Sequence, residues 1–137
     1  MRRKLLLLFV LCLSMCVGGS ASDVARIVKR FHLYNQTGAI GPITVYTPNR
    51  GGMFRVNAFM VITVGNVEGS VCATLGFATK FGPSRAGVGC MGTQMTGATN
   101  EVTAAVGDKG GNPLTLSVYT TGGVGAKYNV DIVVEEL

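Results

Sequence analysis

The amino-acid sequence predicts an all-β protein, a two-layer antiparallel β-sandwich of jelly-roll type preceded by a cleaved signal peptide. Three observations carry that prediction. From Phe54 onward apolar and polar side chains alternate, a period of two that sends every second residue to one face of an extended chain. Turn-forming groups, Pro48-Asn49-Arg50-Gly51-Gly52 and Gly107-Asp108-Lys109-Gly110-Gly111-Asn112-Pro113, interrupt the alternation. Charged residues make up only 14% of the 137-residue chain and Trp is absent, while Val, Thr and Gly are frequent, a composition suited to strands that seal a core.

The chain opens with Arg2, Arg3 and Lys4, then an unbroken apolar run from Leu5 to Leu13, then the small residues Gly18, Gly19, Ser20 and Ala21. Basic start, short apolar middle and small-residue exit define a secretory signal peptide over residues 1–21, with cleavage expected after Ala21. The run is shorter than the roughly 20 residues a membrane-spanning helix needs, so no stable membrane span is expected. The mature protein is therefore expected to be secreted or periplasmic. The alternative is a lipoprotein anchored at Cys16, against which Met15 is larger than the small residue that such sites place before the cysteine.

Residues 22–39 read as a lead-in, either a short helical turn or extended, because Val24, Ile27, Val28 and Phe31 are spaced weakly like a helix. The β-sandwich domain is assigned to residues 40–137. Its first strand alternates Ile43 and Val45 inward with Thr44 and Tyr46 outward. The longest strand places Phe54, Val56, Ala58, Met60, Ile62 and Val64 on one face. The other face, Arg55, Asn57, Phe59, Val61 and Thr63, starts polar and ends apolar, which implies partial cover by a neighbour such as a second subunit.

A hairpin follows, turning at Phe81-Gly82-Pro83-Ser84, and then a Thr/Gly-rich linker from Gly92 to Asn100. The remaining strands direct Val102, Ala104 and Val106, then Leu114, Leu116 and Val118, then Tyr128, Val130, Ile132 and Val134 inward. Asn129, Asp131 and Glu135 face outward.

Of the four cysteines, Cys12 and Cys16 leave with the leader. The remaining pair, Cys72 and Cys90, is expected to form one disulfide in an oxidising compartment. A hairpin folded about residue 81 sets the two positions opposite each other, and closing a loop of that size stabilises by about 3 kcal/mol. A redox-active pair would instead place two cysteines close in sequence near a helix start.

Charge excludes one partner class. Three of the twelve Lys and Arg residues lie in the leader, leaving nine basic against seven acidic side chains. Apart from Arg26, Lys29 and Arg30 the basic residues are scattered, so no cluster exists to neutralise a run of phosphates and no nucleic-acid partner is expected.

The catalytic inventory is thin. His32 is the sole histidine and falls in the lead-in, so a Ser-His-acid or Cys-His arrangement has nowhere else to draw its base. Zinc lacks a ligand set once the cysteines are oxidised. A calcium site in the 107–112 turn would use Asp108 and Asn112, but Lys109 intrudes and no second acid is close in sequence. Gly122-Gly123-Val124-Gly125 lacks the Gly-Lys-Ser/Thr ending and following helix of a phosphate loop. No catalytic, cofactor-binding or metal-binding residue is assigned. Tyr46, Phe59 and Tyr119, with Val61, form the candidate interaction surface, since outward aromatic rings stack on sugars or fill subunit interfaces.

Two resemblances bear on these residues. Gly52-Met53-Phe54-Arg55-Val56, Val102-Thr103-Ala104-Ala105-Val106-Gly107-Asp108 with the strand Leu114 to Val118, and Tyr128-Asn129-Val130-Asp131-Ile132 are similar, in that order, to the trimeric jelly-roll heads of the tumour-necrosis-factor and complement type. The run Asn35-Gln36-Thr37-Gly38-Ala39-Ile40 through Tyr46-Thr47-Pro48 to Phe54-Arg55-Val56, closing with Tyr128 to Leu137, resembles uncharacterised bacterial exported and phage-associated β-sandwich proteins. The first resemblance implies a trimer, by analogy. The second implies a structural or binding role and no activity. Phe54 stands where Tyr is common, the cysteine pair is not general, and no collagen-like stalk precedes the head.

The expected function is accordingly that of a secreted, non-catalytic structural or recognition protein, self-associating or binding an extracellular protein or glycan. The alternative is a carbohydrate-binding module, or a small carbohydrate-active enzyme using two of Asp23, Glu68, Glu101, Asp108, Asp131, Glu135 and Glu136 as paired carboxylates.

Overall fold

The computed structural model describes residues 24–65, 68–79, 81–122 and 125–137. The signal peptide, its cleavage point at Ala21, Cys16 and Asp23 lie outside the described residues.

Among the described residues eight strands form: β1 (Arg26–Gln36), β2 (Ile40–Tyr46), β3 (Gly52–Val64), β4 (Gly69–Thr79), β5 (Gly82–Gly92), β6 (Thr99–Asp108), β7 (Leu114–Gly122) and β8 (Lys127–Glu136). They hydrogen-bond into two four-stranded antiparallel sheets, one ordered β1-β8-β3-β6 and the other β2-β7-β4-β5. We call these the charged sheet and the neutral sheet, for reasons given below.

The pairing is nested. Arg26 opposes Glu136, Ile40 opposes Val118, Gly52 opposes Asp108 and Cys72 opposes Cys90, pairs whose midpoints fall at residues 81, 79, 80 and 81. The chain is one long hairpin folded near residue 80 and rolled up, so that successive strand pairs alternate between the two sheets. That is the jelly roll, and the rolling hides in the interior what a flat hairpin would leave exposed.

The core lies between the sheets. Phe54, Val56, Ala58, Met60 and Ile62 of β3 and Tyr128, Val130, Ile132 and Val134 of β8 meet Val71, Ala73 and Leu75 of β4 and Leu114, Leu116 and Val118 of β7. Every one of these inward assignments follows from the period of two. Full burial of a large aliphatic side chain contributes on the order of 1.5–3 kcal/mol, and this interdigitated set supplies the main driving force.

Two sequence expectations are corrected here. Residues 22–39 are no mere lead-in, because Arg26–Gln36 is an edge strand paired to β8. Register shifts between Ile27 and Lys29 and between Leu33 and Gln36 break the regular alternation. Val28, Phe31 and Leu33 pack against the core as a result, with a spacing that imitates a helix. Tyr46 is also misassigned. A shift between Thr44 and Tyr46 lets both Val45 and Tyr46 reach inward, and the Tyr46 ring meets Phe54 edge-on at 6.0 Å between centroids.

A third irregularity lies beside the disulfide. Ala73 pairs with Gly89 and Thr74 with Gly87, so Val88 is an extra residue that tucks into the core at 2% exposure. Gly89 takes φ +108°, a conformation side-chain-bearing residues rarely adopt, and a Cβ there would stand 2.5 Å from Asn100 Nδ2.

Beyond Val61 the edge of β3 stays paired, as the β6 ladder continues into the linker. Ile62 N donates to Ala98 O, Gly97 N to Ile62 O and Gly65 N to Thr96 Oγ1, at 2.9, 2.8 and 2.8 Å. These bonds lay the linker along the strand.

Candidate functional site

The outer faces of the two sheets differ sharply in chemistry. On the charged sheet, rows of side chains run across the strands. Ile27 of β1 opposes Glu135 of β8, which opposes Arg55 of β3 and then Ala105 of β6. The next outward rows are Arg30, Val133, Asn57, Thr103 and then His32, Asp131, Phe59, Glu101. Arg55 Nε donates to Glu135 at 2.5 Å, Thr103 Oγ1 donates to Asn57 Oδ1 at 2.8 Å, and His32 pairs through Nδ1 with the Asp131 carboxylate. Tyr34 stacks on the His32 ring at 5.7 Å.

Sequence reasoning left these pairings unseen because they join residues far apart in sequence, from 46 positions for Asn57–Thr103 to 80 for Arg55–Glu135 and 99 for His32–Asp131. Phe59 and Val61 belong to this face. Phe59, 37% exposed, sits between Asp131 and Glu101, and Val61, half-buried, lies between Asn129 and Thr99.

The neutral sheet presents Thr44 of β2, Thr115, Ser117, Tyr119 and Thr121 of β7, and Ser70, Cys72, Thr74 and Gly76 of β4. Its four strands contain one charged side chain, Arg85 on the edge strand β5. Cys72 and Cys90 are joined by the expected disulfide, opposite each other on β4 and β5. Cys72 is buried while Cys90 is exposed, so the bridge lies at the surface of this face. Tyr119 stands across from Cys72 on β7 and is 49% exposed. Ser70 and Thr121 hydroxyls hydrogen-bond across the strands at 2.7 Å, which holds the polar groups of the face against the sheet.

The four residues of the expected interaction surface therefore separate into three places. Tyr119 lies on the neutral sheet's outer face, Phe59 and Val61 on the charged sheet's outer face, and Tyr46 at the core margin.

The end of the sandwich holds a further cluster. Glu136, closing β8, accepts from Arg26 NH2 at 2.6 Å and from Arg50 Nε and NH2 at 3.1 and 2.8 Å. These bonds hold the Glu136 carboxyl below the usual carboxylate range, the Arg26 bond contributing most and the Arg50 bond next. In the β6–β7 turn, Asp108 accepts from Gly110 N at 2.6 Å and Asn112 Nδ2 donates to Gly110 O at 3.2 Å, so both side chains serve the turn itself. No group of three or more His, Cys, Asp or Glu residues that could hold a metal occurs among the described residues. No helix among them is long and apolar enough to cross a membrane.

No family model matches the chain, and no curated protein matches it. Among solved structures, the chain is similar to the VP2 subviral particle of infectious bursal disease virus, at 14% identity and TM-score 0.51, over 83% of this chain and 33% of that one. It also aligns with the Eiger tumour necrosis factor of S. frugiperda, at 12% identity and TM-score 0.42, over 82% of this chain and 94% of that one. A protein of disulfide-linked Bacillus endospore appendage pili aligns at 14% identity and TM-score 0.40, over 88% of this chain and 97% of that one. The chain spans about a third of the length of the viral protein. At such identities the likeness to the viral protein establishes a shared fold.

Proposed function

We propose that the protein is an exported, non-catalytic structural element that assembles with copies of itself through the outer face of its neutral sheet. The observation that carries this reading is the unequal distribution of charge. One outer face is laced with ion pairs, whereas the other holds mostly small, uncharged side chains around Tyr119, with Arg85 as the one charge at its edge. Stable interfaces are depleted of charge at their centre and enriched in aromatic anchors. A face of Thr, Ser and Gly also brings two copies together without like-charge repulsion, and its short side chains lose little rotamer freedom when covered.

Export is supported by the leader and by the disulfide, since such bonds persist in oxidising compartments. The absence of catalysis is supported by the engagement of acids that a hydrolase would need. Asp131 is held by His32, Glu135 by Arg55 and Glu136 by two arginines.

Light scattering coupled to size exclusion tests the reading. The purified chain is expected to run as a closed oligomer that Thr74→Lys or Tyr119→Lys dissociates, while Asn57→Lys on the charged sheet leaves it intact. A monomer at all concentrations, or dissociation by Asn57→Lys alone, overturns it.

A further inference from the structure

We propose that Arg26 and Arg50, splinted by Glu136, form a binding site for an oxyanion, namely the sulfate, phosphate or carboxylate group of a ligand. Four separate stretches of chain converge there: the start of β1, the end of β2, the β2–β3 turn and the end of β8. Among side chains, one carboxylate faces two guanidinium groups. Each guanidinium has five N–H donors, and the bonds to Glu136 engage one nitrogen of Arg26 and two of Arg50. Most of the donors remain available to a second anion.

Exposure separates the roles of the three residues. The Glu136 side chain is 17% exposed, whereas those of Arg26 and Arg50 are 71% and 78% exposed. The open guanidinium groups keep their remaining donors accessible to a ligand. A carboxylate that orders two long, otherwise mobile arginines reduces the entropy a ligand must remove on binding.

The cluster also stands between two cavities. One, of about 290 Å³, is lined by Val24, Arg26, Arg50, Glu136 and Leu137. The other, of about 250 Å³, adds Asn49, Pro48 and the rings of Tyr46 and Phe54 to the same three residues. An oxyanion on the arginines has room on either side, and the second cavity offers an aromatic wall to any ring that carries the anionic group. Arginine suits this task because its planar fork meets oxyanions in bidentate fashion.

The test is a titration of the purified chain followed by NMR of the arginine side chains, using sulfate, phosphate and phenyl phosphate against chloride at matched ionic strength. Saturable shifts at Arg26 and Arg50 are expected for the oxyanions and not for chloride. Arg26→Gln and Arg50→Gln should each weaken binding by about tenfold. Equal affinity for phosphate and phenyl phosphate identifies a site for the free ion. Tighter binding of phenyl phosphate, lost in Tyr46→Leu, identifies a ring-borne anion. Shifts no larger than those from chloride, or unchanged affinity in both arginine variants, overturn the proposal. The wild-type titration stands even if a variant fails to fold, and neither readout depends on the oligomeric state.

Discussion

The hydroxyl of Tyr128 donates a 2.7 Å hydrogen bond to the carbonyl of Gly38, tying the start of the last strand to the β1–β2 turn. The ring is fully buried, and this bond satisfies the one polar group it carries inward. Tyr128→Phe deletes the donor and leaves the Gly38 carbonyl without it, so a loss of about 1–2 kcal/mol is expected in urea unfolding.

Burial also pushes the Tyr128 pKa from 10.0 up to about 12. A phenol whose pKa is raised on folding contributes stability in full below its unfolded value and forfeits it as pH rises towards the folded one. Stability is therefore expected to fall between pH 10 and about 12 in the wild type, and to fall less in Tyr128→Phe. Chemical denaturation at a series of alkaline pH values checks both the sign and the difference.

Glu136 behaves in the opposite sense. Its two arginine partners lower its pKa from 4.5, so its contribution is present above that value and is lost as pH falls through the lower folded one. Because the cluster fastens Arg26 of β1 and Arg50 of the β2–β3 turn, amide protection factors at the start of β1, taken relative to intrinsic exchange at each pH, should fall on acidification below the ordinary carboxylate range. Glu136→Gln should show the lowered protection already at neutral pH and little further change in protection on acidification.

The Cys72–Cys90 bridge closes the innermost strand pair, 18 residues apart in sequence. Replacing both cysteines with alanine is expected to cost about 3 kcal/mol, chiefly by freeing the unfolded chain. Equilibrium unfolding of this variant against the wild type measures the loss. Thiol titration of the unreduced, processed protein should find no free sulfhydryl.

Gly89→Ala tests the bulge beside that bridge. Alanine is strained at φ +108°, and its Cβ meets the Asn100 amide that donates to the Cys90 carbonyl at 3.3 Å. A loss of about 1–3 kcal/mol is expected, detectable as a lowered melting temperature. Gly97→Ala separates strain from collision, because Gly97 also has positive φ (+86°) and nothing lies within 4 Å of its Cβ position. It should cost less.

Alternation made the inward faces of β3 as far as Ile62, and those of β6, β7 and β8, legible, because the two sides of an extended chain are set by local geometry. Val64, expected inward, is 43% exposed beyond a register shift at the end of β3. The Cys72–Cys90 pairing was legible for a related reason: a hairpin's register follows from its own turn. The polarity of the neutral sheet was present in the sequence too, since four of the eight strands hold almost no charge. Which strands would share a sheet was not readable from that polarity.

What only the tertiary structure decided are the matters that depend on partners far along the chain. Bulges in β1 and β2 are imposed by the strands they pair with, so Phe31 and Tyr46 turned inward against the local pattern. Arg26 and Arg50 met Glu136 from 110 and 86 residues away, a convergence no sequence window contains. Period and turn chemistry are short-range properties written in consecutive residues. The rolling of the hairpin, and with it the gathering of uncharged strands on one face and ion pairs on the other, is settled by packing between distant segments.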